Sequence, residues 1–153
     1  MKYNIKREQQ INSDIETVWD FFSSPLNLSA ISPDDMNFKI LTDFKNKNIE
    51  PGMRINYLVS PLFGIPLKWQ TLITHVEKHK SFTDFQEKGP YKLWNHYHEF
   101  IPNEKGVLVR DNVDYELPFG AFGTIMHKLV VKKKLEEIFD YRFRVLNELF
   151  NTD

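Results

Sequence analysis

Two long runs with a repeat of two residues, joined by a short polar turn, constrain this chain most. The runs are "YKLWNHYHEFIP" and "GVLVRDNVDYELP", and "PNEKG" joins them. Successive side chains of a strand point to opposite faces, so the repeat assigns each residue a side. On the first run Trp94, His96, His98 and Phe100 share one face, and Leu93, Asn95, Tyr97 and Glu99 the other. On the second, Val107, Val109, Asp111, Val113 and Tyr115 share a face, while Arg110, Asn112, Asp114 and Glu116 make a solvated one. The Pro, Asn and Gly of the connection suit a hairpin. The chain must therefore build an antiparallel sheet with one face turned to a core.

The remaining segments arrange themselves around that hairpin. Lys2 to Ile11 alternates Tyr3, Ile5 and Arg7 against other residues and predicts a strand. "NSDIETVWDFF" predicts a helix with Ser13 as N-cap and Glu16 completing a capping box. Its apolar stripe is Ile15, Val18, Trp19 and Phe22, and Pro25 ends it. "PLNLSAISP" predicts a second short helix closed by Pro33. Four strand-like runs come next: "MNFKILTDF", "GMRINYLVSP", "LKWQTLITHVEKH" and "SFTDFQEKG". Between them lie the polar "KNKNIEPG", the loop "SPLFGIP" and a tight turn near His79–Ser81. No Pro or Gly occurs after Gly123. There Ile125, Leu129, Leu135, Ile138, Phe139, Arg142, Leu146 and Leu149 recur at helical spacing, with a gap across the lysines. A long amphipathic helix closes the chain.

Strands followed by a segregated helix define an α+β fold. We expect a curved seven-stranded antiparallel sheet around the long C-terminal helix, with two short helices between the first and second strands. Without repeats or linkers, 1–153 reads as a single domain. Apolar residues at 41% and charged residues at 27% fit a globular chain. A formal charge of −1 gives no reason to expect nucleic acid or an anionic membrane as partner. There is no cysteine, which excludes a disulfide scaffold and a thiolate metal site. The charged start "MKYNIKREQQ" is no secretory signal, and no apolar run is long enough for a membrane span. A cytoplasmic location is expected.

The element order is that of the helix-grip fold shared by START domains, Bet v 1 plant allergens and bacterial polyketide cyclase/dehydrase-like proteins. "DIETVWDFF" resembles the motif that opens this SRPBCC superfamily. "FTDFQEKGPYKLWNHYHEF" and "DNVDYELPFGAFG" closely resemble a bacterial subgroup of ligand-binding SRPBCC-domain proteins. That subgroup's pattern falls on Phe82, Asp84, Gly89, Pro90, Trp94, His96, His98, Phe100, Asp111, Val113, Tyr115, Pro118 and Gly120. The resemblance spans essentially the whole chain. It implies a cavity between sheet and last helix for an apolar or amphipathic small molecule or lipid. It fixes no reaction, because function lives in the site rather than the fold.

The residues themselves suggest where the site lies. Counting back from the hairpin around Asn103–Lys105 brings Asp111 near His96, within one pair. An Asp beside a His raises the basicity of the imidazole, as a general base requires. Tyr115 on the same face offers a hydroxyl to a developing oxyanion. Three readings stay open for His96, His98 and Asp111: orienting a ligand or pairing structurally, acid–base catalysis, and metal binding. No cofactor or metal is expected. "HVEKH" at His75–His79 looks like a zincin motif, but its Glu is misplaced and it lies in a strand. Trp69, Trp94, Phe82 and Tyr57 line the cavity or fill it, and Trp19, Phe21 and Phe22 belong to the core. Phe122, Ile125, Met126 and Leu129 begin the last helix, where this fold opens its pocket. "KKKLEE" reads as a solvated face with Lys132–Glu136 and Lys133–Glu137 pairs.

The expected ligand-binding set is Trp69, Trp94, His96, His98, Asp111, Tyr115, Phe122 and Met126. Binding of a hydrophobic or amphipathic molecule is the first reading. A cyclase, dehydratase or isomerase using His96, His98 and Asp111 is the second. A chaperone-cofactor-like interaction module with a filled core is the third. The residues leave the ligand's identity and the oligomeric state open.

Overall fold

The computed structural model describes residues 1–44 and 48–152. Its strands are β1 (Lys2–Ile11), β2 (Lys39–Ile40), β3 (Arg54–Val59), β4 (Leu67–Glu77), β5 (Ser81–Lys88), β6 (Leu93–Asn103) and β7 (Gly106–Glu116). They form one seven-stranded sheet in the order β1-β7-β6-β5-β4-β3-β2. Every neighbouring pair is antiparallel. The first strand thus returns to pair with the last, and β2 forms the far edge.

Helix α1 (Ile15–Phe22) comes directly after β1. Its N-cap is Asp14 rather than the expected Ser13: Asp14 Oδ1 accepts the Thr17 backbone N–H at 2.8 Å. A carboxylate at the positive end of a helix is favoured, and Asp14 supplies one a residue later. Glu16 closes no capping box and instead lies 3.3 Å from His79. Trp19 meets Phe82 and Phe100 edge to face, with centroids 6.0 and 5.3 Å away. Burying a ring of this size against the sheet contributes about 2–3 kcal/mol.

The second short helix resolves into separate 3₁₀ turns, Pro25–Asn27 and Ser29–Ile31, with a third at Asp34–Met36. The expected strand "MNFKILTDF" pairs over only two residues. Asn37 enters it in the left-handed conformation. Beyond Ile40, the Thr42 hydroxyl takes the Asn56 N–H at 2.8 Å, which a ladder carbonyl would otherwise accept. Part of "KNKNIEPG" lies outside the described residues.

The closing helix runs from Gly120 to Phe150 in three pieces. These are α2 (Gly120–Met126), a π-helical turn (His127–Val131) and α3 (Lys132–Phe150). A π turn adds a residue and rotates the helix before it relative to the helix after it. The expected stripe therefore fails at its start: Ile125 and Leu129 are exposed, and His127 and Val131 are buried in their place. From Leu135 on, Ile138, Phe139 and Leu146 face the sheet as the spacing requires. The expected lysine–glutamate pairs reduce to Lys133–Glu137 at 3.9 Å, and Lys134 reaches Asp35 at 2.6 Å. Among the described residues, no helix is long and apolar enough to cross a membrane.

Candidate functional site

Three adjacent strands carry four ionisable side chains onto the inner face of the sheet. β6 supplies His96 and His98, which share a face because they are two apart. Across one ladder His96 opposes Asp84 of β5. Across the other, His98 opposes Asp111 of β7 and His96 opposes Val113. The hydrogen bonds run diagonally to this register. His96 Nε2 lies 2.7 Å from Asp111 Oδ1, and His98 Nε2 lies 2.5 Å from Asp84 Oδ2. The other ring nitrogens close a looser circuit, with His96 3.8 Å from Asp84 and His98 3.4 Å from Asp111. The imidazoles stack with centroids 3.7 Å apart, and Phe82 stacks on His98 at 4.1 Å. The order Asp84, His98, Asp111, His96 thus forms a ring of alternating acid and base.

Burial and pairing compete at each member. Burial opposes charge on Asp84, but His96, the hydrogen bond from His98 and the more distant Arg142 together hold its carboxyl below the usual range. Asp111 is buried too, yet hydrogen bonds from both histidines hold it well below that range. Burial lowers both histidines. His98 recovers through its bonds to Asp111 and Asp84 and ends raised. His96 carries the further repulsion of His98 and ends lowered. The surroundings thus pull the two imidazoles in opposite directions.

A hollow of about 170 Å³ lies between this wall and α3. Trp69, Trp94, His96, His98 and Asp84 line it from the sheet. Ile138, Phe139 and Arg142 line it from the helix. Tyr57 and Thr71 share a hydrogen bond of 2.8 Å in the same wall, and the Trp69 indole N–H donates to Thr71 at 3.1 Å. Phe21 and Phe22, expected in the core, also face this hollow, because the loosely wound segment after α1 leaves their side uncovered. A second hollow of about 300 Å³ adjoins it and shares Pro61, Tyr91, Leu135 and Ile138 as common wall.

Several expected site residues lie elsewhere. Asp111 stands behind the histidines and does not line the hollow. Tyr115 is buried, but its hydroxyl is 2.6 Å from His127 Nε2, against which Tyr3 stacks at 3.4 Å. Burial pushes the Tyr115 phenol up to about 12. Phe122 is 62% exposed and Met126 half-buried, and neither borders either hollow. His75 bonds to Ser81 at 3.3 Å and His79 faces Glu16, so "HVEKH" joins no common site.

Sequence reasoning placed Asp84 only within a motif and Arg142 only within an apolar stripe. The signals were present: Asp84 alternates in phase with Phe82, and Arg142 comes three residues after Phe139 on the buried side. Tyr91 is fixed through Gln86, whose amide bonds both the Tyr91 carbonyl and N–H, at 2.7 and 3.0 Å. A Cβ on Gly89 would lie 2.6 Å from that amide oxygen, so a side chain there would push the Gln86 amide aside.

Asp84, His96 and His98 also offer ligand atoms within 4.8 Å of one another. A metal requires donors converging on a point about 2.0–2.2 Å from each. Within that trio His98 and Asp84 stand 2.5 Å apart, a hydrogen-bond length, and His96 and Asp84 3.8 Å apart.

No protein-family model matches the chain, and no curated protein matches it in sequence. Solved structures match it in shape. A protein of Chromobacterium violaceum superposes with a TM-score of 0.73 at 11% identity, covering 98% of this chain and 99% of its own. A Thalictrum norcoclaurine synthase point mutant in complex with a transition-state analogue gives 0.63 at 14%, covering 97% and 96%. A major latex-like protein of Panax ginseng gives 0.59 at 16%, covering 90% and 97%. These are likenesses of fold. The chain has the helix-grip fold of the Bet v 1 and SRPBCC proteins.

Proposed function

We propose that this protein binds a compact, largely apolar molecule in the hollow between sheet and α3. The observation that carries the reading is the wall itself. Trp69, Trp94, Phe139 and Ile138 enclose space, while a few fixed polar groups stand on one side. Small-molecule sites have this composition, an apolar lining with few placed polar groups. A filled core, which an interaction module of this fold requires, is at odds with the hollow. The test uses N-phenylnaphthylamine, whose absorption overlaps tryptophan emission. Titration should quench Trp69 and Trp94 and excite the probe by energy transfer. If no quenching occurs, and native mass spectrometry of the purified protein finds no co-purified molecule, the proposal fails.

A second reading has its own support. Neutral His96 lines the hollow with Asp111 behind it, the arrangement of a general base with its orienting carboxylate. On this reading a cyclic ketone or polyketide-like substrate loses a proton to His96. Turnover with an imidazole-like pH profile, abolished in His96→Ala, supports it, and binding without turnover across such ketones removes it.

A further inference from the structure

Among the described residues, Arg142 is the one lysine or arginine that lines the hollow, and its Nε has no hydrogen-bond partner. That Nε is buried, and the guanidinium makes no hydrogen bond or ion pair among the described residues. The group rests over the Phe139 ring at 5.1 Å. A buried donor left unpaired costs about 1–3 kcal/mol, more when it is charged. A fold keeps such a group when something else pairs it. We propose that Arg142 anchors the polar end of the bound molecule, and that this end is a neutral carbonyl-type oxygen on an otherwise apolar body.

The inference rests on the hollow being a binding site. The choice of a neutral head comes from what shares the hollow with Arg142: the Asp84 carboxylate lines the same space, and Asp111 stands just behind the histidines. A ligand carboxylate would meet that acid in a desolvated space. A carbonyl oxygen accepts from the guanidinium and adds no charge. An alkyl group in the same place leaves the donors unpaired.

Three isosteric ligands separate these cases: isopropylnaphthalene, acetylnaphthalene and naphthoate. Affinities are measured by tryptophan quenching for wild type and Arg142→Met. In wild type, acetylnaphthalene should bind about tenfold tighter than isopropylnaphthalene, the worth of one charge-assisted hydrogen bond. Naphthoate should bind no tighter than acetylnaphthalene. In Arg142→Met the affinity ratio of acetylnaphthalene to isopropylnaphthalene should fall to about one. Infrared difference spectra of wild type give a second readout that needs no variant: the carbonyl stretch of bound acetylnaphthalene should move to lower frequency. Equal affinity for acetyl and isopropyl ligands in wild type, an advantage that survives in Arg142→Met, an unshifted carbonyl band, or naphthoate as the tightest ligand each overturns the inference. Failure of isopropylnaphthalene itself to bind removes the binding site as well, and so is distinguishable from a failure of the anchor alone.

Discussion

His96 and His98 are the same side chain on the same face of one strand, yet their surroundings pull their titrations apart. Burial lowers both, but Asp111 and Asp84 together raise His98 in net, whereas His96 also feels the repulsion of its neighbour. The consequence for stability has opposite signs. His98 is raised in the fold, so its contribution is full below the ordinary 6.5 and is lost as pH rises through its folded value. His96 is lowered, so the fold resists its protonation and stability falls as pH drops below 6.5. The aspartates are lowered, so their contribution is present above 3.8 and is lost as pH falls through their folded values. NMR titration of the imidazole resonances should place the His98 midpoint above 6.5 and the His96 midpoint below it. In His98→Gln the His96 midpoint should move up, because the repelling charge is gone. A His96 midpoint that stays put or falls contradicts the assignment.

The elements of this fold were legible to the degree that they are periodic. The β6–β7 hairpin could be faced correctly because alternation over eleven residues leaves one solution. The hairpin turn also shows its chemistry: Gly106 has φ +133°, and a Cβ there would overlap the Ile11 carbonyl oxygen. Gly106→Ala should therefore cost about 2–5 kcal/mol through strain and overlap together, read as a lower urea midpoint at unchanged slope. A loss under about 1 kcal/mol, of the order of an ordinary surface change, contradicts that account. Features set by contacts between distant segments could not be read. Asp84 becomes a site residue only because β5 pairs with β6 in one register, and no pattern within "SFTDFQEKG" states that register. The π turn escaped because its cause lies outside the helix, where His127 is drawn inward to Tyr115 and Tyr3. Arg142 was hidden by its own position, since a cation on an apolar stripe usually extends its head to water.

At the scale of the whole molecule, the sheet and α3 leave space where a close-packed interior would have none. Two core clusters border that space: one gathers Trp19, Phe82 and Trp69, and the other gathers Tyr115, Leu135 and Phe139. Ile138 stands between the two hollows and belongs to the walls of both. The second hollow is also bordered by Phe63 and Ile65, which are 74% and 56% exposed. On the proposed function, Ile138 would limit how long a molecule the hollow takes. Ile138→Ala removes the partition at a cost of about 2–5 kcal/mol in stability. It should raise affinity for the two-part N-phenylnaphthylamine more than for compact isopropylnaphthalene. Ile138→Phe thickens the partition and should disfavour the longer probe. The measurement is the ratio of the two dissociation constants in each variant, which cancels any uniform loss of folded protein. A ratio that is the same in wild type, Ile138→Ala and Ile138→Phe means that the hollows are not read in series by one ligand.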